Sequence, residues 1–218
     1  MKTVSIVTPA AAAILGLCAL VMTIANVRTS FARNHTPPTE PWDSVANWKS
    51  YERTSLRIGP ARPRVSIIVF TDYECPACKQ LAKRLGALRR EYPTRLAVFI
   101  RQFPLEGHPI APLAAKAAVC AEQQGKLEQF DSLLVQAPTL EGKTMVSWAQ
   151  AAGVGDTTAF AKCTGSPATA RIVDADIADG RRLGVVGTPT LLVDNEEYVG
   201  IPFGLESIVS RHLDRSAP

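Results

Sequence analysis

The chain has 218 residues, 46% of them hydrophobic and 20% charged, with a formal net charge of +4. That length holds one domain with a substantial core plus tails, and the composition is ordinary for a globular protein. Arg28, Arg33, Lys49, Arg53, Arg57, Arg62 and Arg64 bias the first third, but they form no block, so no nucleic-acid partner is expected.

No residue from Thr3 to Val27 is charged, and Ala10 to Val27 is nearly continuous apolar sequence. A bilayer core takes about 20 such residues. A signal peptide carries an apolar core of about 7–15 and ends on a small-x-small site. Ser30-Phe31-Ala32 is a passable site, but it follows Arg28 and a long apolar run. Residues 1–27 are therefore read as a membrane anchor in preference to a cleaved signal; either one exports the rest of the chain. Cys18 is read as an apolar filler, because Leu17 is too large to precede a lipidated cysteine.

Residues 28–60 read as a proline-rich linker over 28–41 (Pro37, Pro38, Pro41) and a short docking helix. Thr39 is its candidate cap, and Trp42, Val45, Trp48 and Tyr51 form one stripe for packing onto the domain. Arg64 to Thr71 is short, β-branched and nearly all apolar, the pattern of a strand buried on both faces. Cys75 to Tyr92 is helical, with Leu81, Leu85 and Leu88 at helical spacing and Pro93 as the stop. Leu96 to Phe103 is a second strand, so strand, helix and strand imply a parallel crossover. Ile110 to Leu183 breaks into four or five helices at Gly125, Pro138, Gly153 to Gly155 and Gly165-Ser166-Pro167. Thr190 to Val193 is a third strand, Asp194-Asn195-Glu196 a turn into Tyr198-Val199, and Leu205 to Leu213 a closing helix.

The chemistry sits in Cys75-Pro76-Ala77-Cys78, a few residues past a strand and at the opening of a helix. Free backbone N–H groups and the positive end of the helix dipole favour a thiolate there. A cysteine in that context can titrate well below an ordinary thiol. Two intervening residues let the second sulfur turn back onto the first. Pro76 suits the first turn, where its missing N–H is no loss. Cys75 is thus the expected exposed nucleophile, and Cys78, one turn deeper, the resolving thiol. Half of a zinc site is the competing reading, with Cys120, Cys163 or His108 as further ligands, but no second close pair exists and an exported location favours disulfides. No metal is expected.

On these residues the segment from about Val65 to His212 resembles the DsbA family of the thioredoxin-fold superfamily. The resemblance rests on Phe70-Thr-Asp-Tyr-Glu-Cys75-Pro-Ala-Cys78, on Arg101-Gln-Phe-Pro-Leu-Glu-Gly-His108-Pro leading into Ala114 to Ala121, on a helical insertion, and on Gly187-Thr188-Pro189-Thr190. It implies an α/β, thioredoxin-like fold over residues 61–218 with an inserted helical subdomain at about 109–184. It also implies that Pro189 is cis beside the redox pair and that Thr188 offers its backbone to an extended substrate strand. The implied activity is thiol-disulfide exchange on cysteines of exported proteins, outside the cytoplasm. No cofactor is needed, and a membrane quinone-linked thiol oxidase would serve as reoxidising partner. No dimerisation module lies between Val27 and Val65, so a monomer is expected. The same residues could run as a reductase or isomerase, and a membrane-tethered holdase without turnover is the alternative of a different class.

Two positions depart from the family. The buried acid often found six residues before the first cysteine is Val69 here, so Glu74 or water would have to handle the proton. The second middle position is Ala77, where strongly oxidising members carry His; a potential below the roughly −120 mV of DsbA is expected. Cys120 and Cys163 are expected to pair as a structural disulfide, the alternative being two buried free thiols. His108 is read as a turn residue that faces the active site, and His35 and His212 as solvated.

Overall fold

The computed structural model describes residues 44–53 and 56–215. The anchor, the linker prolines, Cys18, His35, Thr39 and Trp42 lie outside the described residues. Among the described residues no helix is long and apolar enough to cross a membrane.

Five strands form one sheet in the order β1-β3-β2-β4-β5: β1 Leu56–Ile58, β2 Val65–Thr71, β3 Leu96–Gln102, β4 Thr190–Val193 and β5 Glu196–Val199. β2 and β3 pair parallel at its centre. β1 joins β3, β4 joins β2 and β5 joins β4, all antiparallel. All of β3 is buried, as is β2 through Phe70, which is why both read as nearly continuous apolar runs, broken by Ser66 in β2 and by Arg101 and Gln102 at the end of β3. Side chains alternate between two cores with the period of two that a strand imposes. Ile67 and Val69 face one core with Leu81, Leu85 and Leu88, while Ile68 and Phe70 face a second with Phe99, Phe103 and Leu192.

Helix α1 (Pro76–Glu91) links β2 to β3. Five helices follow: α2 Ala111–Glu122, α3 Leu127–Gln136, α4 Met145–Ala151, α5 Thr157–Thr164 and α6 Pro167–Leu183. Helix α7 (Leu205–Arg215) closes the described chain. Fully buried Arg101 on β3 anchors α6 by ion pairs to Asp176 and Asp179, and Asp176 also accepts the Gln102 N–H at 2.9 Å. Close approach requires a glycine at 180, where a Cβ would stand 2.7 Å from the Phe103 ring. This anchoring sets where α6 delivers the chain to the loop before β4.

Three expectations are corrected. Leu56–Ile58, assigned to the linker, is an edge strand with Leu56 and Ile58 buried and Arg57 exposed. Among the described residues of the expected docking helix, the helical part is a 3-10 turn at Trp48–Tyr51. The Val45 N–H instead binds the Asn195 carbonyl at 2.8 Å and Ser44 bridges Glu196, so that backbone extends the β4–β5 turn. Val45, Trp48 and Tyr51 do pack on the second core, Tyr51 edge-on to Phe70 at 6.1 Å. His212 is not solvated: it is 4% exposed, with Nδ1 3.0 Å from Asp194 and Nε2 3.2 Å from Glu196. Its place on the α7 stripe with Leu205, Ile208, Val209 and Leu213 turns it inward.

Candidate active site

The β2–α1 connection is built around Asp72, a carboxylate only 2% exposed. Its Oδ1 accepts the N–H groups of Glu74 (2.6 Å) and Cys75 (3.2 Å). Its Oδ2 accepts the Leu105 N–H and meets His108 Nδ1, both at 2.8 Å. One side chain thus shapes the turn into the cysteines and stitches it to the β3–α2 loop. Glu74 reaches the other way, its Oε2 accepting the N–H groups of Ile110 and Ala111 at 2.6 Å each. Helix α2 has no cap of its own, so Glu74 satisfies donors that would otherwise be orphaned. Its carboxylate is thus engaged by the start of α2, which leaves water as the other proton carrier offered in place of an acid at position 69.

Cys75 has extended backbone (φ −67, ψ 120) and is the N-cap of α1, with Pro76 in the first turn. Its sulfur accepts the Cys78 N–H at 3.4 Å, one of the donors a helix start leaves free. The opposite wall comes from a segment 113 residues away. Helix α6 ends at Gly184, whose φ of 91 suits glycine, and the chain passes Val185 to Gly187 before the cis Thr188–Pro189 bond. Thr190 then enters β4 opposite Phe70, its hydroxyl donating to the Gly187 carbonyl at 2.9 Å. This arrangement sets the Thr188 carbonyl 3.4 Å from the Cys75 sulfur, which donates to it. Cys75 is therefore less open than expected: it is 6% exposed and Cys78 3%, because the prolyl loop lies over the pair. Pro76 is exposed and Ala77 partly so.

Both cysteines are free thiols. Burial pushes the Cys78 thiol up to about 12. Cys78 is thus a neutral thiol near pH 7, suited to receive a proton as it leaves or to give one up as it attacks.

The other two cysteines lie elsewhere. Cys120 on α2 and Cys163 on α5 form a disulfide, with Cα atoms 5.8 Å apart. That bond removes both from any zinc site. Among the described residues no group of three or more His, Cys, Asp or Glu could hold a metal ion. Sequence reasoning placed His108 near the site but missed its partner Asp72, although Asp72 stands inside the motif. It also missed Asp131 on α3, which receives the Tyr73 hydroxyl at 3.0 Å and carries no motif signal at all.

A mixed sheet with a helical insertion, a free thiol pair at a helix start and a prolyl loop facing it define the class of DsbA-like proteins within the thioredoxin fold. The chain belongs to the thioredoxin family, whose model matches residues 51–206. A periplasmic thioredoxin-like protein from Salmonella enterica serovar Typhimurium superposes with a TM-score of 0.68 at 26% identity, covering 79% of this chain and 99% of that one. A thioredoxin-like oxidoreductase from Silicibacter pomeroyi gives the same TM-score and identity, covering 78% and 98%. Among curated relatives, a Na(+)/H(+) antiporter NhaA 1 from Mycobacterium sp. (strain KMS) is 31% identical over 163 residues, 72% of this chain and 26% of that protein. The chain spans between 22% and 26% of the length of the first curated relatives it matches.

Proposed function

We propose that this chain catalyses thiol-disulfide exchange on cysteines of other exported proteins, and that its working direction is oxidation of the substrate. The observation that carries the reading is the juxtaposition of Cys75, Cys78 and Thr188: the Cys75 sulfur receives the helix-start N–H of Cys78 and faces the Thr188 carbonyl. In the oxidised form a substrate thiolate attacks Cys75; the Cys75–Cys78 bond breaks and Cys78 leaves, taking a proton. A second substrate thiolate then attacks the mixed disulfide and releases Cys75, so two electrons pass from substrate to the pair. Thr188 and Pro189 form the rim along which an extended substrate strand lies. The sulfurs carry the chemistry, and no cofactor is invoked.

Location outside the cytoplasm is supported by the Cys120–Cys163 disulfide, a bond such compartments preserve, and by the periplasmic Salmonella neighbour. A monomer held at the membrane by residues 1–27 and reoxidised by a quinone-linked membrane thiol oxidase completes the reading. The transport activity named for the curated relatives is not carried over, since the chain spans about a quarter of those proteins or less.

The test is the reduction potential of Cys75–Cys78 together with oxidation of a reduced model protein. With Ala77 in place of a polar residue, the expected potential lies below about −120 mV but above the roughly −270 mV of a reducing thioredoxin. A value at the reducing end, with no transfer of the disulfide to the model protein, would reverse the assigned direction.

A further inference from the structure

Exchange through Cys75 and Cys78 moves a proton on and off Cys78, and the groups nearest the pair are committed elsewhere. Asp72 is occupied by three N–H groups and His108. Glu74 caps α2. Val69 brings no acid. Beside Cys78, however, lies a cavity of about 630 Å³, lined by Val69, Asp72, Tyr73, Cys78 and Lys79 and, from α3, by Asp131. Its polar side has room for several waters, each needing roughly 30 Å³. Tyr73, two residues before Cys75, is 3% exposed and holds the Asp131 carboxylate through its hydroxyl.

The charges facing this space are few. Helix α1 presents Lys79, Lys83, Arg89 and Arg90; α3 presents Glu128; the β2–α1 turn presents Asp72. Arg89 is engaged by Glu128 at 2.5 Å and Lys79 by the Ala137 carbonyl at 2.9 Å. Burial raises Asp131 to about 6, against the Tyr73 hydrogen bond and the Arg89 charge. A carboxyl in that range gives and takes a proton readily near neutral pH.

We propose that Asp131 is the proton acceptor and donor for Cys78, passing the proton through water in this cavity while Tyr73 holds its carboxylate in place. The inference rests on the exchange reading. When Cys78 attacks a Cys75–substrate mixed disulfide, its proton passes to the Asp131 carboxylate. The Cys75–Cys78 bond forms, the Cys75–substrate bond breaks, and the substrate leaves as a thiolate. In the oxidising direction the same steps reverse: substrate thiolate opens the Cys75–Cys78 bond and the departing Cys78 takes the proton from Asp131. Acting through water, Asp131 positions the proton without touching sulfur, and it belongs to the helical insertion, not to the sheet.

The experiment loads Cys75 of the full chain with a chromogenic thiol as a mixed disulfide and follows thiol release, as Cys78 closes the ring, from pH 5 to 9. Wild type is expected to show an inflection near pH 6. Asp131→Asn should lose that inflection and close more slowly by about tenfold or more at pH 7.5, a modest value for a positioned acid–base group. Asp131→Glu should keep the inflection. Tyr73→Phe, which retains the carboxylate, should move it to higher pH, because the lost hydrogen bond favours the charged form. Alkylation of Cys75 in the reduced protein should be equal in wild type and Asp131→Asn. Closure by Asp131→Asn within about twofold of wild type at every pH, or an inflection unmoved in Tyr73→Phe, overturns the inference alone. Wild type that never closes the ring overturns the exchange reading and this inference with it.

Discussion

Two cysteine pairs in one chain have opposite fates, and the difference lies in where each sulfur meets its helix. Cys75 caps the start of α1, its sulfur accepting the Cys78 N–H, and Cys78 follows in the first turn. Cys120 stands near the end of α2 and Cys163 near the end of α5, where the dipole is negative and a thiolate gains nothing. The first pair closes a ring of four residues and faces a prolyl loop. The second joins positions 43 apart within the helical insertion and faces Thr169 of α6. Cys-x-x-Cys spacing is therefore only half of what sets the first pair apart; the other half is its place at a helix start facing the prolyl loop.

The largest effect that tests this contrast is on turnover. Cys75→Ser should bring oxidation of a reduced model protein down to the uncatalysed background. Cys78→Ser should keep Cys75 as a nucleophile but leave it stranded on any disulfide-bearing substrate it attacks, so mixed disulfides with that substrate accumulate and appear on non-reducing gels. Cys120→Ala/Cys163→Ala should instead retain exchange per folded molecule within about twofold. Loss of exchange in that double variant would break the division between the pairs.

The second effect is on stability. A disulfide joining positions 43 apart restricts the unfolded chain by about 4 kcal/mol on the chain-entropy account, before native strain is counted. Cys120→Ala/Cys163→Ala should lower the unfolding free energy by roughly that amount in a denaturant titration. Reducing only Cys75–Cys78 should change it by about half as much, because on the same account a four-residue ring restricts the unfolded chain by roughly 2 kcal/mol.

The pair and its surroundings were unequally legible in the sequence. β2, α1, β3 and β4 stood out because central strands are nearly continuous apolar runs and α1 repeats leucine at helical spacing. β1 has only three residues, and its alternation is too short to register. The aromatic stripe from Val45 to Tyr51 has helical spacing, but its backbone is claimed by the β4–β5 turn, a tertiary hydrogen bond that local pattern cannot show. Cys75, Cys78, Thr188 and Pro189 were visible as motifs. Asp72 was visible as a letter without a role, since its four partners come from two loops. Asp131 was not visible, because its significance depends on a cavity shared by α1, α3 and the sheet. His212 could have been found: it occupies the i+7 place of a stripe that begins at Leu205, and that stripe is buried.

The smallest effect separates the pH response of the redox pair from that of the fold. The Asp194 hydrogen bond raises His212 above its ordinary 6.5, with burial opposing and Glu196 assisting. Burial would raise Glu196, but hydrogen bonds from Tyr198 and His212 and the charges of His212 and Arg211 bring it down to about 2. A raised histidine contributes stability that is fully present below pH 6.5 and is lost as pH climbs through the folded-state value. A depressed carboxyl contributes above pH 4.5 and is lost as pH falls towards about 2. The cluster is therefore most stabilising between pH 4.5 and 6.5. His212→Gln should lower stability at pH 6 by about 1 kcal/mol, as expected for hydrogen bonds to charged groups partly screened by solvent. It should also flatten the decline that wild type shows above pH 6.5, measured by denaturant titration at each pH. The cluster lies at the β4–β5 turn, whereas Cys75 lies beyond the opposite end of β2, so ring closure by Cys78 should keep its wild-type pH profile in His212→Gln. A shifted closure profile would mean that the redox pair reports on the stability of the whole sheet rather than on its own helix start.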